Sequence, residues 1–184
     1  MGAAVCFWGV WMQRIMIVGQ PGSGKSTVAR LIGERTGLPV FHMDHIHWQA
    51  GWVERPLPEK IKLAHEVEAR DRWIFEGGLS STYENRIARA EMLIWLDLPL
   101  GLRFWRVVKR SAVHLGRHRL GLPAGCPERF GRETLPFWRY IWRTRHSGRR
   151  RIASLVATAH PQLTVVHLRS REEIAAFLKQ VPQR

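Results

Sequence analysis

The sequence predicts an α/β protein: one domain built on a five-stranded parallel sheet with helices on both faces. Three observations carry this. Short apolar runs alternate with amphipathic stretches along the chain, the pattern of a parallel sheet whose crossovers are helices. A length of 184 residues suits a single sizeable core. Gly19, Gly24, Lys25 and Ser26 stand at the G-x-x-x-x-G-K-[ST] spacing, between a run that reads as a strand and one that reads as a helix.

The first strand is expected over 14–18, where Arg14-Ile15-Met16-Ile17-Val18 is apolar and ends on glycine. A helix over 24–36 follows, with Val28, Leu31 and Ile32 on one face and Gly37 to stop it. Between them lies a turn that can cradle an anion with backbone N–H groups, helped by the positive end of the helix. Gly22, Ser23, Gly24, Lys25, Ser26 and Thr27 are expected to hold nucleotide phosphates, with Lys25 on the terminal ones and the Ser26 hydroxyl on Mg²⁺.

Further strands are expected over 38–42, 72–76, 92–97 and 163–168, and helices over 58–70, 80–89, 99–114, 132–145, 149–159 and 171–180. Ligands gather at the carboxyl ends of strands in such sheets. After the second strand, FHMDHIHW puts Asp44 where a carboxylate could face the phosphates. That role is the one expected of it, with an Asx turn or helix N-cap as the alternative. His42, His45 and His47 around it read as an ordinary histidine-rich turn before they read as a zinc site. After the third strand comes EGGLSST. Glu76 could hold Mg²⁺ through water if this strand neighbours the first, and Gly77 and Gly78 would let a substrate approach the backbone. After the fourth strand, Asp97 could help hold Mg²⁺ or cap the helix opened by Pro99, and the structural role is the one favoured.

The charge is uneven. Of a net +14, residues 98–151 carry +12, with fourteen Lys+Arg against Glu128 and Glu133. Most of these bases are arginine, which suits phosphate. Arg103, Arg106 and Arg110 share a helical face, as do Arg139 and Arg143. The segment about 115–151 is read as a small arginine-rich lid, closing over a polyphosphate. A nucleic-acid patch is the competing reading, with Trp105, Trp138 and Trp142 among the bases. Residues 1–11 are an apolar extension too short to span a bilayer and without the basic start of a signal peptide. Translation from Met12 is the plain expectation for them, and a tail packed on the body the alternative. Cys6 and Cys126 suggest no disulfide framework and a reducing, cytoplasmic setting.

From Met12 onward the chain resembles the small P-loop kinases, adenylate and shikimate kinases among them. It is similar in particular to the bacterial DNA topology modulation proteins, which are adenylate-kinase-like ATPases. The resemblance rests on MQRIMIVGQPGSGKSTVAR, GLPVFHMDHIHWQAGWV, WIFEGGLSSTYENRIARAEMLIWLDLP, GCPERF and VVHLRSREEIAAFL. It implies the P-loop fold with strand order 2-3-1-4-5, ATP and Mg²⁺ as cofactors, and a small-molecule phosphoryl acceptor. It implies that Arg106 stacks on adenine and Arg110 contacts phosphate. Arg149 and Arg151 match lid arginines, Arg169 opens the loop beside the adenine, and Arg86 is a candidate arginine for the acceptor. Glu76 stands where the group usually has aspartate. Ser80 and Ser81 stand where adenylate kinases place an arginine for the acceptor phosphate, so AMP is not the expected acceptor. The expected activity is transfer of the γ-phosphoryl of ATP to a small molecule, a nucleotide or nucleoside among the candidates. A nucleic-acid-associated ATPase is the alternative, binding through residues 103–151. A GTP switch ranks low, because no N-K-x-D-like guanine signal is present.

Overall fold

The computed structural model describes residues 12–113, 121–126 and 134–182. The extension 1–11, and residues 115–120 and 127–133 of the expected lid, lie outside the described residues. The elements in chain order are β1 (Arg14–Gly19), α1 (Lys25–Thr36), β2 (Val40–His42), α2 (Met43–His47), β3 (Trp48–Gln49), β4 (Val53–Glu54), α3 (Leu57–Glu68), β5 (Trp73–Glu76), a 3-10 turn (Ser80–Thr82), α4 (Tyr83–Arg89), β6 (Met92–Leu96), α5 (Leu100–Val113), α6 (Thr134–Arg143), α7 (Arg145–Ala157), β7 (Thr164–Leu168) and α8 (Arg171–Gln180).

Five strands form a parallel sheet in the order β2-β5-β1-β6-β7. Counting only the strands of this sheet, that is the expected 2-3-1-4-5. The detail that differs is a second sheet, the hairpin β3–β4, which shifts the numbering. Its turn, Ala50-Gly51-Trp52, is too short to announce itself in the pattern, and Trp52 takes a positive φ of 64° in it.

The sheet is buried on both faces, so its central strands read as continuous apolar runs rather than alternating ones. Ile15 and Ile17 point into one core with Ile74, Ile94, Val28 and Ile32, covered by α1 and α8. Met16 and Val18 point into the other with Phe75, Trp95, Met43 and Ile152. Register aligns Ile17 with both Glu76 and Ile94. The carboxyl ends of β1, β5 and β6 therefore lie side by side. α8 begins with Ser170, whose side chain accepts from Glu173 N at 3.0 Å.

The break expected at 145–149 falls instead at Thr144. α7 runs through Gly148 and buries Ile152 and Leu155 in the core. Residues 145–151 of the expected lid thus lie on the same helix as these two core residues. Among the described residues no helix is long and apolar enough to cross a membrane.

One buried ion pair ties α3 to α4. Arg86 is fully buried; its Nε donates to Glu68 at 3.1 Å, and its other nitrogens donate to Gly77 O and Thr82 Oγ1. Its guanidinium lies 3.8 Å from the centre of the Phe75 ring. Removing one partner strands a buried charge, which costs about 3–5 kcal/mol. Arg86→Ala should lower the unfolding free energy by about that much in urea titration. A loss under about 1 kcal/mol would mean that the pair is not what fixes these helices.

Candidate active site

β1 ends at Gly19, and α1 begins at Lys25 with Gly24 as its N-cap. Gly24 is left-handed, with φ 94°, and no side chain caps the helix. The first N–H groups of α1 are thereby left for a ligand. Gly22 has φ 79°, and a Cβ there would come within 2.3 Å of Arg103 O, so the loop rests directly on the α5 backbone. Ser23 is buried inside the loop, and its Oγ has no hydrogen-bond partner among the described residues. Lys25 folds back so that Nζ donates to Gln20 O at 3.3 Å. Thr27 is exposed on the first turn.

Beside the loop stands Glu76, the last residue of β5 and nearly fully buried. Its Oε1 accepts from Ser26 Oγ at 2.9 Å and meets His42 Nδ1 at 2.7 Å. Burial pushes its carboxyl up. The His42 hydrogen bond, the Lys25 ammonium, the His42 charge and the Ser26 hydroxyl outweigh that and hold it below the ordinary carboxylate value. Glu76 is therefore ionised at neutral pH. Asp44 lies in the first turn of α2, two residues beyond His42 and half-buried. Burial, then the His42 charge, lowers His45 against the pull of Asp44 and Glu76. Burial and Lys60 likewise lower His47 against Glu54 and Asp44. Gly77 has φ 104°, and a Cβ there would meet Met43 Cβ at 2.6 Å; at Gly78 it would meet the Tyr83 hydroxyl at 2.7 Å.

On the other side of the loop, Arg106 donates to Ser23 O at 3.2 Å and lies against Gly24. Burial and the nearby Arg171 lower its pKa. Arg110 is half-buried one turn further along α5. Arg103, on the same face, is buried and donates to Leu98 O and Pro21 O, so it supports the loop from below.

Several expected roles change. Arg86 is walled into the core and its donors face Glu68, Gly77 and Thr82, so it supports the turn after β5 and is not an acceptor-binding arginine. Arg149 pairs with Asp97 at 2.9 Å, and Asp97 also meets His167 Nε2 at 3.0 Å. Asp97 is thus a tether between β6, β7 and α7 rather than a helix cap. Arg169 is exposed and its guanidinium meets His167 Nδ1 at 3.3 Å. Arg151 is exposed and reaches Ser80 Oγ at 3.4 Å, beside the end of β5.

Two participants were not foreseen. Gln20 donates from its amide to Thr144 O and Arg145 O, joining the loop to the start of α7. Gly148 makes this possible, since a Cβ there would lie 2.9 Å from that amide. His42 was visible only as one histidine of three; its pairing with Glu76 depends on which strand lies beside which.

A triphosphate with Mg²⁺ fits these residues. The uncapped helix start and left-handed glycines form a cradle for the phosphates, Lys25 lies across it, and the Ser26 hydroxyl stands beside an ionised carboxylate. Among the described residues no group of three or more His, Cys, Asp or Glu could hold a metal ion.

Sheet order, loop and helix start together define the α/β fold of the P-loop kinases. A solved shikimate kinase from Acinetobacter baumannii, in complex with shikimate, matches with a TM-score of 0.57 at 16% identity, over 92% of this chain and 90% of that one. In sequence the chain is similar to two curated cytidylate kinases. That of Sulfurisphaera tokodaii is 29% identical over 115 residues, and that of Methanoregula boonei 27% over 113. Each alignment covers 54% of this chain, and 63% and 62% of the respective relative. The chain thus spans less than two thirds of the length of the curated relatives it matches. No family model matches the chain.

The sign of the acid dependence follows from Glu76. Its folded pKa lies below the ordinary 4.5, so its contribution to stability is fully present above pH 4.5 and is lost as pH falls below it. Urea unfolding measured at falling pH should show the wild type losing stability through that window. Glu76→Gln should be less stable at pH 7 and fall less steeply in acid. Parallel curves for the two proteins would remove Glu76 from the acid response.

Proposed function

We propose that the chain is a phosphotransferase that passes the γ-phosphoryl group of Mg²⁺·ATP to a small-molecule acceptor. The observation that carries this is the uncapped start of α1 beside the Ser26–Glu76 pair, with Lys25 lying across the loop. The backbone N–H groups of the loop and of α1 bind the phosphates, and Lys25 swings from Gln20 O to the terminal one. Ser26 would ligate Mg²⁺ and Glu76 would accept from its water shell. The ion, when bound, would supply positive charge against the phosphates during transfer. Arg106 and Arg110 lie on the α5 side of the loop, where the adenine and phosphate contacts fall, and Arg169 opens the neighbouring edge. Arg151, beside Ser80, adds positive charge at the acceptor end.

The acceptor occupies the ends of β2 and β5, against Asp44, Gly77 and Gly78. With Arg86 committed to Glu68, that end is carried by Asp44, Glu76 and histidines. An acceptor hydroxyl would be oriented and deprotonated by Asp44. The curated relatives are cytidylate kinases and the structural neighbour holds shikimate, so nucleotides, nucleosides and hydroxy acids are the acceptors to try. A reducing cytoplasm suits Cys126, a buried free thiol.

A second reading has its own observation. On α5 and α6, Trp105, Tyr140 and Trp142 are more than half exposed, and Arg145 lies 4.3 Å over the Trp142 ring. Exposed rings among arginines suit stacked bases and phosphates. This supports a nucleic-acid-associated ATPase, as the likeness to DNA topology modulation proteins suggests.

Lys25→Ala should cut ATP turnover at least about 100-fold while the protein still folds. Asp44→Asn should lower kcat about 100-fold with a hydroxyl acceptor. Both are read with an acceptor panel and the product mass. Turnover that survives in Lys25→Ala would sink the loop assignment. Turnover stimulated by single-stranded DNA alone, lost on raising salt or in Trp142→Ala, would favour the second reading.

A further inference from the structure

We propose that His42 is a positioning residue of this site: it fixes Glu76 for the metal-bound nucleotide, and the strap Gly121–Cys126 clamps His42 in place. The inference rests on the nucleotide-binding reading above and extends it to residues outside the glycine loop.

The geometry is set by the sheet. His42 and Glu76 are register partners at the ends of the parallel strands β2 and β5. Register partners on adjacent strands project to the same face. Their contact of 2.7 Å follows from strand order, not from nearness in sequence. A carboxylate oxygen accepts, so the 2.7 Å contact pairs it with the tautomer whose hydrogen is on Nδ1. The Ser26 hydroxyl falls on the same oxygen, Oε1, at 2.9 Å. With Oε1 taken by two donors, rotating the carboxylate would break both bonds, and Oε2 would be the oxygen that accepts from a metal-bound water. Histidine here does for the carboxylate what outer partners do for metal ligands in general.

The ring of His42 is held in turn. His45 lies on it at 5.4 Å between ring centres. Gly121 packs on it so closely that a Cβ would come 3.3 Å from Nδ1 and 3.6 Å from Cε1. Gly121 also has φ 92°, which only glycine adopts without strain. The strap that carries it is fastened to the β3–β4 hairpin. Gly51 N donates to Gly125 O at 2.9 Å, and Cys126 Sγ donates to Gln49 O at 3.1 Å. Leu122 and Cys126 are the strap's own buried residues. The hairpin is anchored to α3 by Lys60, whose ammonium donates to Glu54 at 2.6 Å. A chain of contacts thus runs from the hairpin through the strap to His42, Glu76 and the first turn of α1.

The test is calorimetric titration of the full chain with ATP, once in EDTA and once with excess Mg²⁺. In His42→Ala the dissociation constant for Mg²⁺·ATP should rise about 10-fold while that for metal-free ATP stays as in the wild type. His42→Asn, whose amide N–H₂ stands near the place of Nδ1, should recover most of the loss. Gly121→Ala should weaken Mg²⁺·ATP in the same selective way while leaving both partners of the bond intact. Equal loss with and without metal would make His42 merely structural and overturn the proposal. So would unchanged Mg²⁺·ATP binding in His42→Ala. Should His42→Ala not fold, Gly121→Ala decides, and wild-type behaviour there overturns the clamp and the role together. A wild type that binds no ATP in either condition fails the nucleotide reading itself. A wild type that binds Mg²⁺·ATP beside indifferent variants fails only this inference.

Discussion

A carboxylate buried at the end of β5 has to remain charged, and much of the surrounding structure follows from that. Glu76 is nearly excluded from water, where an isolated charge would cost several kcal/mol. Compensation arrives from three groups on two elements: His42 from β2, and the Ser26 hydroxyl and Lys25 charge from the first turn of α1. None of these is close to Glu76 in sequence. The parallel order β2-β5-β1 is what brings them together. The same order leaves the loop between the two strands that flank β1, so the sheet supports the charge and the anion cradle as one arrangement.

Support for the loop comes equally from the far side. Gly22 lies on the α5 backbone, Arg103 and Arg106 donate to loop carbonyls, and Gln20 reaches the start of α7. Each of these contacts uses a carbonyl or a side chain and leaves the N–H groups at the helix start untouched. The loop is held through the Pro21 and Ser23 carbonyls and the Gln20 side chain, and the N–H groups of the helix start are left to an anion. Such an arrangement binds anions without first having to reorganise.

The sheet and the loop were legible in the sequence because their signals are local. A run such as Met92–Leu96 is apolar throughout because both faces are covered, and the glycine spacing at 19–24 is a backbone requirement written directly in residue type. Roles that depend on long-range pairing were less legible. Arg86 looked like a free cation on a helix, but its partner Glu68 lies on another helix and closes it off. Arg149 looked like a lid arginine until the end of β6 put Asp97 against it. The helices expected over 132–145 and 149–159 left Gly148 in the gap between them, whereas it is a place where a helix must leave room for Gln20. His42 carried no signal of its own among three histidines, because its meaning lies in a strand register. Spacing reveals what a backbone can do; side-chain partners await the topology.

The uneven charge has a kinetic consequence. α7 starts over the loop through Gln20, and its Arg149 and Arg151 reach the ends of β6 and β5. Only Arg149 among these two is paired with a carboxylate in the described structure. Arginines on α5, α6 and α7 therefore surround the carboxyl edge of the sheet with a positive field in which an approaching polyanion is drawn inward before it touches anything. Such steering raises encounter rates by factors of roughly 10 to 1,000 at low ionic strength and fades over a Debye length of about 8 Å in physiological salt. On the proposed function, the basic segment would govern how often anions arrive, while the glycine loop would govern which of them stay.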